Sequence, residues 1–184
     1  MKQIFAAFLC TAALLASGPT RAGANDDGAA AAANAFYAAY EKAQPRGIPD
    51  AKAQVLLGPL LSASLNGALD RARKAGAAFQ AKTRGMAPPL LQGDIFTSLF
   101  EGATAYTIGA CTSDGPKLTR CKVNLTYSDP QNPPTHWTDI VALVREGDAW
   151  KIDDIVYGGN WDFASKGTLS QTLAQVVEDA TGSP

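Results

Sequence analysis

The chain has 184 residues, 46% of them hydrophobic and 18% charged, enough for one domain with a substantial core and too few for two comfortable ones. Sixteen Lys and Arg face seventeen Asp and Glu, a net charge of −1. Such a balance leaves no basic field to hold a phosphate backbone, which speaks against nucleic acid as a partner.

Residues 1–24 carry Lys2, an apolar run from Ile4 to Ala16 and the small-residue site Ala22-Gly23-Ala24, the pattern of a secretory signal peptide. A membrane anchor needs roughly 20 apolar residues, and Gly18, Pro19 and Arg21 cut this run short. Cys10 lies inside the apolar region behind Leu9 rather than a small residue, so it is read as discarded with the leader and not as a lipid-attachment site. Cleavage after Ala24 leaves residues 25–184 as a single domain without Lys2 and Arg21. Its 14 basic and 17 acidic side chains give a charge of −3. No later apolar run is long enough to span a bilayer, so a soluble periplasmic or secreted protein is expected.

From Asn25 to about Ala87, Ala, Leu, Lys and Arg favour helix by summed propensity. A first helix carries Asp26 and Asp27 at its start, places Phe36, Tyr37 and Tyr40 on one stripe, and ends near Ala43 before Pro45 and Gly47. Pro49 and Asp50 open a short second helix through Leu57, which Gly58-Pro59 interrupts. A third begins at Ser62 or Ser64. It buries Leu61, Leu65, Leu69, Ala72, Gly76 and Phe79, leaving Asp70, Arg71, Arg73 and Lys74 toward water. Arg84 to Gly93 reads as a loop.

Beyond Gly93 the period changes to strand alternation, over Ala103–Thr112, Leu118–Tyr127, Trp137–Arg145 and Ala149–Tyr157. Short connections make neighbours antiparallel. Trp150 and Ile152 fall on one face and Ile155 and Tyr157 on the other, unless one extra residue at Asp153-Asp154 brings all four to the core; a β-bulge is therefore predicted there. A last helix, from Thr168 or Ser170 to Ala180, aligns Leu169, Leu173, Val176 and Val177. Helices, a meander and a closing helix make an α+β domain, with N-terminal helices packed on an antiparallel sheet.

Cys111 and Cys121 flank the turn signal Asp114-Gly115-Pro116, and a hairpin centred there sets them opposite each other within disulfide reach. A redox or metal pair is the alternative, but the spacing is not Cys-x-x-Cys and no nearby His completes a ligand set. No nucleophile elbow, phosphate loop, dinucleotide fingerprint or His-Glu-x-x-His occurs, so no catalytic residue, metal or cofactor is assigned. The single His, His136, stands beside Pro133, Pro134 and Trp137. Asn124-Leu125-Thr126 matches a glycosylation sequon, a short pattern that arises often by chance. Asp139, Asp153 and Asp154 lie on strands, where a buried carboxylate can act as a general base or simply hold structure. With Tyr106, Trp137, Tyr157 and Trp161 they form the candidate pocket set; Trp150 is read as core.

The residues from Trp137 onward resemble a family of exported bacterial proteins, domain of unknown function family 3828. The likeness rests on Trp137-x-Asp139, Ala149-Trp150-Lys151-Ile152-Asp153-Asp154-Ile155-x-Tyr157, Trp161 and Gly167-Thr168-Leu169-Ser170. Phe96-Thr97-Ser98-Leu99-Phe100-Glu101-Gly102 and Phe36-Tyr37-x-x-Tyr40 extend it over most of the mature chain. The resemblance implies the nuclear-transport-factor-like fold, in which helices pack on a strongly curved sheet to make a cone with an internal pocket. It implies no established activity, and fold leaves function open.

Two expectations follow. The first is a noncatalytic binding or accessory domain for a small ligand or an envelope protein, one variant being an inhibitor or immunity protein; dimerisation through the sheet follows by analogy with the superfamily. The second is a small hydrolase, isomerase or dehydratase using Asp153 or Asp154 with Tyr106 or His136 inside the cone.

Overall fold

The computed structural model describes residues 21–182. The predicted leader up to position 20, with Cys10, lies outside the described residues.

Helix α1 spans Arg21–Ala43. It already runs at Arg21, the first described residue, ahead of the expected start at Asn25. Asp26 and Asp27 therefore stand within the helix rather than at its start. Its inner face buries Ala29, Ala33, Phe36, Tyr37 and Tyr40, the predicted aromatic stripe included. Helix α2, Ala51–Leu57, is capped by Asp50, whose Oδ1 accepts from Ala53 N at 2.8 Å, so Pro49 precedes the cap instead of occupying the first turn. A 3-10 turn, Gly58–Leu60, leads to α3, Ala63–Lys82. There Ser62 Oγ accepts from Leu65 N at 2.9 Å. Leu65, Leu69 and Ala72 are buried, whereas Gly76 and Phe79 are only partly covered. Asp70 and Arg73 form an ion pair on the outer side.

Four strands follow, β1 (Ala105–Ser113), β2 (Leu118–Asp129), β3 (Asn132–Glu146) and β4 (Ala149–Val156), in the antiparallel order β1-β2-β3-β4. Cys111 pairs with Cys121 in the predicted register, and the two are disulfide-bonded. A bulge between Ile108 and Cys111 then shifts that register by one residue. A second bulge makes Asp153 the extra residue, since Ala142 faces Asp154 while Leu143 faces Ile152. This is the predicted irregularity, and it brings Ile152, Ile155 and Tyr157 into the core with Trp150 packed against it. Bulges curl the strands they interrupt. The β2–β3 hairpin is longer than expected, because Pro133 and Pro134 argue locally against a strand. They are tolerated because β4 pairs with β3 only from Ile140 onward, so the prolines face no ladder on that side.

Helix α4, Leu169–Thr181, closes the chain behind a capping box of Thr168 and Gln171 and buries Leu169, Leu173 and Val176. The result is an α+β fold on a four-stranded curled antiparallel sheet. One core joins Phe36, Leu65, Phe96, Val123, Val141, Leu143, Ile152, Ile155 and Leu173. Among the described residues no helix is long and apolar enough to cross a membrane.

The disulfide closes a loop of sequence separation 10. Loss of loop-closure entropy in the unfolded chain makes it worth about 2.5–3 kcal/mol. Urea denaturation of the Cys111→Ala/Cys121→Ala variant should show that deficit, and a loss well under about 1 kcal/mol would contradict it.

Candidate functional site

The seven residues singled out from sequence do not gather in one cavity. Trp137, Asp139, Tyr157 and Trp161 meet around the irregular segment between α3 and β1. Asp139, 1% exposed, receives four donors: Ser98 N at 2.9 Å, Gly158 N at 2.8 Å, Trp137 Nε1 at 3.2 Å, and the Ser98 hydroxyl in a short bond. Ser98 Oγ in turn accepts from Gly159 N at 3.0 Å. The carboxylate thereby ties β3 to the loop and to the exit of β4. Gly158 is required there, because a Cβ at that position would collide with the Thr138 carbonyl. Tyr157 donates to Ile95 O at 2.7 Å, and its phenol is held well above the ordinary range, first by burial. The Trp137 and Trp161 rings meet edge to face at 5.7 Å.

Asp153 and Asp154 serve helix starts instead. Asp153 Oδ1 accepts from Ser62 Oγ at 2.7 Å, steadying the α3 cap, and Asp154 Oδ1 accepts from Ser170 N at 2.9 Å in the first turn of α4. Tyr106 lies on the flank of α1, its ring tilted against Tyr37 at 5.3 Å and its hydroxyl donating to Asn34 O at 3.3 Å. His136 is exposed beside Thr126, with 3.0 Å between Nδ1 and Oγ1.

A polar cleft adjoining a buried titratable group lies elsewhere, where the end of α1 meets the loop before β1. This cleft of about 390 Å³ is lined by Tyr40, Glu41, Gln44, Arg46, Asp94, Glu101 and Tyr127, among others. Helix α1 ends because Pro45 follows Gln44, which takes a φ of +42° as it turns the chain out of the helix. On the facing side, Asp94 N donates to Phe100 O at 2.8 Å, closing the loop on itself. Gly102, at φ +84°, lets the chain pass directly over the Tyr40 hydroxyl and the Asp94 carboxylate, where a Cβ would lie 2.6 Å from the hydroxyl. The next residue, Ala103, donates its N–H to Tyr40 Oη at 3.0 Å.

Asp94 is 6% exposed and lines the cleft. Burial pushes its carboxyl up to about 6, against the opposing pull of hydrogen bonds from Tyr40, Phe96 N and Thr97. Tyr40 moves far above its ordinary range through burial and through Asp94 beside it. The cleft thus offers a carboxyl that changes charge in the mildly acidic range, aromatic walls, two exposed glutamates and one arginine. Among the described residues no three His, Cys, Asp or Glu side chains are grouped to hold a metal ion.

Sequence reasoning placed Tyr40 in the core stripe and passed over Asp94. The available signal was its setting, Gly93-Asp94-Ile95-Phe96, a carboxylate joined to a run too apolar for a solvated loop. Comparison of the chain with protein-family models, curated proteins and solved structures finds no match.

Proposed function

We propose that the chain is an exported, noncatalytic binding domain of the nuclear-transport-factor-like cone type, akin to domain of unknown function family 3828, and that the Tyr40–Asp94 cleft is its ligand site. One observation carries the reading: a nearly buried carboxyl lines an open polar cleft, in a volume within the range of small-molecule sites. Burying a carboxyl costs free energy that neutral hydrogen bonds only partly offset, and such groups concentrate at sites of binding or chemistry. The enzyme alternative has less support. Asp153 and Asp154 are engaged at the starts of α3 and α4, and Tyr106 donates to a backbone carbonyl of α1. The disulfide suits an oxidising destination.

Protein recovered after export should have the mass of residues 25–184 with the bond intact; a product retaining Met1 would remove the export element. A thermal-shift screen of that protein against small polar molecules should yield binders, a ligand at 100 times its Kd adding about 2.7 kcal/mol. Binders whose effect survives Gln44→Trp, which places a bulky ring at the cleft wall, would count against this site.

A further inference from the structure

We infer that the ligand of this cleft is a small organic cation, an ammonium group seated against the Asp94 carboxylate with the Tyr40 and Tyr127 rings beside it. The inference rests on the cleft being the ligand site and adds the chemical class. Three carboxyl side chains, Glu41, Asp94 and Glu101, line the cleft against one guanidinium, Arg46. That guanidinium is drawn toward the loop, its Nη1 donating to Phe100 O at 3.3 Å. The groups that hold the Asp94 carboxylate are neutral donors: Tyr40, Phe96 N and Thr97. They orient the carboxylate without cancelling its charge. An ammonium arriving from the cleft would supply that charge at a carboxylate only 6% exposed, where a Coulomb contact is stronger than at the surface. Phenol rings favour the same ligand, since a cation within about 6 Å of an aromatic face gains further attraction. An anion would meet three carboxyls before it met Arg46, and a neutral molecule of equal size would leave the charge as it found it.

Three probes of nearly equal size, n-butylammonium, n-butanol and butyrate, separate charge from shape. Titration of the intact mature protein at low salt and pH 7.5, followed by amide NMR shifts and calorimetry, should show n-butylammonium binding at least about tenfold more tightly than the others, with shifts at Gln44, Glu101, Thr104 and Tyr127. Affinity should fall about tenfold between pH 7.5 and pH 5 as Asp94 gains its proton. The phenols facing Asp94, Tyr37 and Tyr40 from α1 and Tyr157 from the end of β4, are all raised and stay neutral over that range. Asp94→Asn should lose about tenfold. Because Asp94 also holds its loop, the Glu41→Gln/Glu101→Gln variant, altered at two exposed positions, gives a second reading and should lose several-fold with the loop intact.

Butyrate or butanol binding in the cleft more tightly than the ammonium would overturn the cation and leave the cleft as a ligand site. Unchanged ammonium affinity in folded Asp94→Asn, or in the double glutamine variant, would likewise overturn it. Silence of the cleft toward all three probes and toward the wider screen would remove the ligand site itself.

Discussion

Asp139→Ala is expected to cost about 4–5 kcal/mol, a large share of the stability of a typical domain. The change strands the amides of Ser98 and Gly158, the Trp137 indole N–H and the Ser98 hydroxyl, all grouped around a carboxylate 1% exposed. Each buried donor left without a partner costs about 1–3 kcal/mol, and partial relaxation keeps the sum below four full penalties. Asp139→Asn should cost about 2 kcal/mol, because an amide nitrogen must face donors on one side while the remaining oxygen still accepts on the other. Urea denaturation followed by tryptophan fluorescence reads both, since Trp137 and Trp161 pack beside the site. A loss under about 1 kcal/mol for the alanine variant would mean that the loop is not held through this carboxylate.

Asp94→Asn should act in the opposite direction as pH rises. Burial pushes the carboxyl up to about 6 in the folded chain from an ordinary value of 3.8. The folded state therefore holds a proton that the unfolded state releases between those values. Asp94's contribution to stability is greatest below about pH 4 and is lost as pH rises through 6, a change of about 3 kcal/mol. Asparagine carries no such charge. Compared with the parent, the variant should become more stable by about 2.5 kcal/mol between pH 4 and pH 7.5, starting from whatever offset its altered hydrogen bonds impose at pH 4. A stability difference constant across that interval, in denaturant melts at the two pH values, would contradict the burial of an ionisable Asp94.

Local chemistry made much of the fold legible. Asp114-Gly115-Pro116 set the hairpin register that pairs Cys111 with Cys121, and the clash of face assignments between Ile152 and Ile155 called for an extra residue at Asp153-Asp154, which the structure places at Asp153. Helix starts were legible to within two residues, at Ser62 or Ser64 and at Thr168 or Ser170, and the structure selects Ser62 and Thr168, each of which, like Asp50, offers an oxygen to an amide three residues on. The site was less legible because its contacts are remote in sequence. Asp139 stood out as a strand carboxylate, but its partner Ser98 lies 41 residues away in a segment without period. Asp153 and Asp154 looked equally available for chemistry until the starts of α3 and α4 claimed them. Asp94 reaches Tyr40 only because Gly102 turns the chain across both, and no local pattern announces that approach. The cleft is thus a product of where α1 stops and the loop folds back.

The decisive measurement is an amide NMR map of the protein during titration with a library of small polar molecules. Binding at the proposed site predicts saturable shifts confined to Glu41, Gln44, Arg46, Asp94, Glu101, Thr104 and Tyr127, weakened in Asp94→Asn. Saturable shifts centred on Asp153, Asp154 and Tyr106, with the cleft amides unmoved, would contradict it.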